Sequence, residues 1–134
     1  MLDHLRQRVV DALSPIHYAT LSTYGAADLQ ATLLPCESKG IQLYILLPST
    51  SDHLPNLLSN SEVVVTSAEW QLRGTAVVLG EPHKLVAVEH DPILQLSLLN
   101  RAEAQWSRLI EITPFRLHIR RQNGWGYNET IDID

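Results

Sequence analysis

The chain has 134 residues, enough for one domain with a sizeable core, and 45% of them are hydrophobic against 19% charged. Net charge is −5, and the two lysines and eight arginines are scattered apart from Arg120–Arg121, which argues against nucleic acid as a partner. A single cysteine, Cys36, excludes an intramolecular disulfide and a multi-cysteine metal centre; with no apolar run of membrane-spanning length, the expected setting is the cytoplasm.

Leu2, Leu5, Val9 and Leu13 recur at helical spacing, and Ser14-Pro15 stops the pattern, so residues 2–13 read as an amphipathic helix. Ile16 to Thr23 reads as a strand, Tyr24 to Ala27 as a hairpin turn, and Leu29 to Leu34 as the returning strand. A second turn at Glu37 to Gly40 leads into a strand from Ile41 to Leu47. A short helix capped by Asp52 or Ser51 then runs through Asn60, with Pro55 tolerable in its first turn. Glu62 to Trp70 and Leu72 to Leu79 read as two strands, with Lys84 to Val88 as a further candidate. Asp91-Pro92 opens a helix to about Trp106. Phe115, Leu117 and Ile119 then alternate with Arg116, His118 and Arg120, and Trp125 to Ile133 follows as a strand able to pair back. Short strands joined by turns, with helices at the ends and no βαβ rhythm, predict a mainly β fold with some α. The expected architecture is an antiparallel split β-barrel of Greek-key type with peripheral helices, one domain over 1–134.

The segment from Leu43 to Val65 is the most telling. A strand runs out through Pro48-Ser49-Thr50-Ser51 into a helix start, an order that gathers backbone N–H groups, hydroxyls and the positive end of a helix dipole. Such a place suits a phosphate or another anion. The same residues also read as an ordinary helix cap, with His53 facing solvent.

Four stretches in order resemble the FMN-binding split-barrel family, the group containing pyridoxine 5′-phosphate oxidase. Tyr18–Pro35 (YATLSTYGAADLQATLLP) is similar to its opening hairpin, and LYILLPSTSDHLPNLLSNSEVVV to its third strand, phosphate-loop helix and next strand. Trp70–Ala76 (WQLRGTA) resembles its tryptophan-to-glycine strand pair, and Ile112–Gly126 (ITPFRLHIRRQNGWG) its closing strand. The resemblance implies a homodimer binding FMN at the subunit interface, an oxidoreductase of open substrate. Carried over by position, it implies Gln30, Thr32 and Leu33 beside the cofactor, Ser49, Thr50, Ser51 and His53 at its phosphate, and Arg73 near the ring or the partner subunit. Leu47 stands where the family offers the phosphate a Thr or Ser, and Asp52-His53 where it has a basic residue and a lysine.

Other chemistry finds little support. The histidines show no metal-ligand spacing, though His83 and His90 with Glu89 and Asp91 could make a weak metal site. No Gly-x-Ser-x-Gly elbow or Gly-x-Gly-x-x-Gly loop occurs, Cys36 reads as a core or turn thiol, and Trp70, Trp106 and Trp125 read as core or interface aromatics. Beside the flavoprotein stands a non-catalytic module on the same fold, binding haem or a protein partner. A haem would need an axial ligand such as His17, His83, His90 or His118.

Overall fold

The computed structural model describes residues 3–14, 17–82, 96–120 and 127–133. Along these, α1 is Asp3–Leu13, β1 Tyr18–Thr23, β2 Gln30–Lys39, β3 Gln42–Pro48, α2 His53–Ser59, β4 Glu62–Thr66 and β5 Trp70–Gly80. Two 3-10 turns, Ser97–Asn100 and Ala102–Trp106, precede β6 at Ser107–Arg120 and β7 at Tyr127–Asp132.

All pairings are antiparallel, in the order β3-β2-β1-β4-β5-β6-β7, and β3 also pairs with β6, so six strands close a barrel and β7 hangs on its seam. A β1-β2-β3 meander followed by β4 returning beside β1 is a Greek key, and the split-barrel expectation holds. The barrel core includes Leu21, Leu43, Ile45, Leu47, Val65, Leu72, Ile112 and Leu117. Helix α1 adds Val9 and Leu13 to it and reaches β7 through Arg8–Glu129 at 2.7 Å. At the other end, α2 joins β3 to β4 and adds Leu57. A second cluster packs Leu96, Leu98 and Ala104 over Tyr44, Leu46 and Leu109. β3 is therefore buried on both faces, which is why Leu43–Leu47 is an unbroken apolar run.

Several predicted boundaries shift for identifiable reasons. β2 continues through Glu37–Lys39, paired with Gln42–Tyr44; the turn is Gly40-Ile41, where Gly40 takes φ +58°. The strand expected over Glu62–Trp70 breaks at Ser67, whose Oγ accepts from the N–H groups of Glu69 and Trp70, each at 3.2 Å. In place of the single helix expected to end near Trp106, the described part has two 3-10 turns separated by Arg101 in extended conformation. Phe115 does not share the inward face of Leu117: β6 slips register against β5 between Arg73 and Gly74, turning Pro114 inward and Phe115 out. Lys84–Val88, the Asp91-Pro92 start, Asn123-Gly124 and Trp125 lie outside the described residues.

Candidate functional site

Helix α2 presents His53, Asn56 and Leu57 inward, at positions i, i+3 and i+4 of one face, while Leu58 points out at 88% exposure. His53 is 2% exposed. Its Nδ1 lies 2.7 Å from Thr23 Oγ1 on β1, and its Nε2 lies 3.0 Å from Thr32 Oγ1 on β2. The solvent-facing reading of His53 is thus overturned: the ring is buried, and the buried hydroxyl of Thr23 and that of Thr32 on β2 satisfy the imidazole. Burial lowers its pKa from the usual 6.5, against a smaller opposing pull from Asp52, so the ring is neutral at pH 7.

Asn56, which the sequence reading did not single out, is fully buried and clamps the β1–β2 loop. Its Nδ2 donates to Thr23 Oγ1 at 3.0 Å and to the Asp28 carbonyl at 2.7 Å, and its Oδ1 accepts from the Ala27 N–H at 2.7 Å. The signal that could have found it is its helical spacing from His53, which puts two polar groups on the face that also carries Leu57.

The turn before α2 is closed by its own bonds. The Ser49 N–H donates to the Trp106 carbonyl at 2.8 Å, the Ser51 N–H to the Pro48 carbonyl at 2.9 Å, and the His53 N–H to Ser51 Oγ at 3.1 Å. Ser51 therefore supplies the side-chain cap; Asp52 sits at the N-cap position without one.

The remaining candidates fall into two groups. Gln30 donates from Nε2 to the Ala27 carbonyl at 2.8 Å, Thr32 is held to His53, and Leu33 is 65% exposed. Of these β2 residues, Thr32 meets the 49–53 segment directly, through its contact with His53, 21 positions away. Ser49 and Thr50 are exposed in that turn. Arg73 does not join them: on β5, separated from β2 by β1 and β4, it pairs with Glu62 and lies 5.8 Å from the centre of the Phe115 ring. Leu47 points into the core with no exposure.

Beside the β2–turn group lies a cleft of about 230 Å³ walled by Leu34, Pro35, Leu46, Pro48, Glu103 and Trp106. Trp106 is 65% exposed there. Arg101 bonds Glu103 and holds its carboxyl below the usual value, and it also stacks on Tyr18 at 5.4 Å from the ring centre. Arg108, paired in register with Leu47, makes an ion pair with Glu81 at 3.4 Å. Among the described residues, no three His, Cys, Asp or Glu side chains converge as a metal site, and His83 and His90 lie outside those residues.

Comparison with solved structures finds the same architecture. General Stress Protein 26 from Bacillus anthracis matches with a TM-score of 0.66 at 15% identity, over 97% of this chain and 99% of that one. A putative pyridoxamine 5′-phosphate oxidase from Listeria innocua matches with a TM-score of 0.61 at 15% identity, over 86% and 97%. The chain has the split-barrel fold of pyridoxamine 5′-phosphate oxidase-like proteins. This split barrel is also similar to a heme binding protein from Mycobacterium smegmatis, with a TM-score of 0.59 at 17% identity, over 96% of this chain and 56% of that one. No family model and no curated protein matches the chain. At such identities the likeness speaks to the fold. No described helix is long and apolar enough to cross a membrane.

Proposed function

We propose that this split barrel is a homodimeric flavin-binding protein of the FMN class, acting as an oxidoreductase in the cytoplasm. The observation that carries the reading is the contact of Thr32 on β2 with His53, which follows the Ser49–Ser51 turn, next to an apolar cleft walled by Leu34, Pro35, Pro48 and Trp106. A flavin's ring system needs such an apolar wall with a few polar groups at its rim. When bound, flavin supplies the redox chemistry; the chain supplies the wall, the rim hydroxyls and exclusion of water.

Cleft size and surface support the dimer. A cleft of about 230 Å³ is smaller than the roughly 300–1,000 Å³ of most ligand pockets, so a second copy would complete it. Leu33, Val77 and Trp106, at 65%, 54% and 65% exposure, leave apolar surface on the barrel's outside for that copy. Arg73, distant from the cleft in its own subunit, would then face the site from the partner.

A yellow purified protein, or quenching of added FMN fluorescence on titration, is the expected result. A colourless protein that leaves FMN fluorescence unchanged at high micromolar flavin rejects the reading. The inward Leu47 and His53 favour a second reading, a non-catalytic module on the same dimer that binds haem or a protein partner. A Soret shift on haem titration without any flavin quenching would select it.

A further inference from the structure

We propose that the site, taken as a flavin site, recognises its ligand without a phosphate anchor, so that riboflavin and FMN bind alike. This rests on the flavin reading above. A phosphate monoester carries close to two negative charges at neutral pH and is held best by Arg or Lys with several N–H donors. The turn offers neither in full. Three of the five backbone amides from Ser49 to His53 are committed to Trp106, Pro48 and Ser51.

Side chains at the turn add no cation. His53 faces the barrel with both ring nitrogens on threonine hydroxyls, and burial keeps it neutral. Leu47 is sealed in the core, and Asp52 brings an exposed carboxylate. Arg101, at the cleft's rim beside Glu103, and Arg108, paired to Leu47 in the strand register, are each matched by an acid, as is Arg73 on β5. Each of these ion pairs would have to open, or be shared, before its arginine could meet a phosphate dianion. Helix α2 has only seven residues, so its dipole is short. Among the described residues, what remains for recognition is the apolar wall at Leu34, Pro35 and Trp106 with the hydroxyls of Ser49 and Thr50.

The test titrates the full chain with riboflavin and with FMN, following fluorescence quenching at low and at raised salt. The two dissociation constants should agree within about threefold and move little with salt. FMN binding tighter than riboflavin by more than that, with the preference fading at raised salt, overturns the inference and leaves the flavin reading standing. No binding of either flavin overturns both. Thr50→Lys, at an exposed turn position, should raise the affinity for FMN relative to riboflavin by about tenfold, the lost hydroxyl affecting both ligands alike. Equal effects on the two ligands would show that the phosphate end does not lie at this turn and would also overturn the inference.

Discussion

His53→Ala tests the clamp that assembles the site. The imidazole is 2% exposed and bonded at 2.7 Å to Thr23 and 3.0 Å to Thr32. Losing two neutral hydrogen bonds costs about 1 kcal/mol each, and the space left under α2 adds roughly 1–2 kcal/mol, for a total of about 3–4 kcal/mol. Thr23 keeps its bond from Asn56 and Thr32 can turn to water, which holds the loss at the lower end. Urea unfolding at pH 8 measures it, with the midpoint falling at unchanged slope. The wild type should also lose stability on acidification. With its folded pKa below the unfolded value of 6.5, His53 binds fewer protons in the folded state, so its contribution is full above that pH. It declines below pH 6.5 by up to about 1.4 kcal/mol per pH unit until the folded pKa is reached, and His53→Ala should flatten that slope. A change within about 0.5 kcal/mol at pH 8, the size of a surface substitution, refutes the buried clamp.

Two further predictions concern neighbouring features. At Gly25, an added Cβ would lie 2.3 Å from Ser59 Oγ and 2.9 Å from the Asn56 carbonyl oxygen. Gly25→Ala should therefore destabilise by about 1–3 kcal/mol, read as a lower melting temperature; an unchanged melting temperature contradicts the close approach of α2 to the β1–β2 loop. Burial first, and Glu37 second, push the Cys36 thiol up to about 12, so it should resist a disulfide reagent in the folded protein at pH 8 and react fully in denaturant. Rapid labelling of the folded chain would contradict that placement.

The barrel was legible because its strands announce themselves separately. Turn residues punctuate the chain, and the order of elements leaves few ways to pair them. What the sequence hid were points where a side chain or a register slip overrides the pattern. Ser67 ends β4 by bonding the N–H groups of Glu69 and Trp70, although the apolar alternation continues past it. The slip beside Gly74 flips Phe115 outward, and no single-strand periodicity contains that information because it belongs to the pairing of β5 with β6. The 3-10 turns after Leu96 are shaped by the second apolar cluster over β3, a tertiary demand that local helix signals do not carry.

The 43–65 segment was right as a landmark, but the local sequence could not tell which way its polar residues face. A histidine at a helix start beside Ser and Asp suits an exposed anion ligand as well as a buried strut. Thr23 and Thr32 decide between these by supplying partners from two other strands. Once His53 is inside, its hydrogen bonds fix α2 against β1 and β2, and that same fixation sets Thr32 and Leu33 beside the hydroxyl turn. The residue that the family resemblance assigns to a phosphate instead holds α2 against β1 and β2. Positioning and anion binding are thus alternatives at position 53. Any gain of phosphate affinity has to come from an exposed neighbour such as Thr50, because a cation at 53 would have to be buried among threonine hydroxyls at a cost of several kcal/mol.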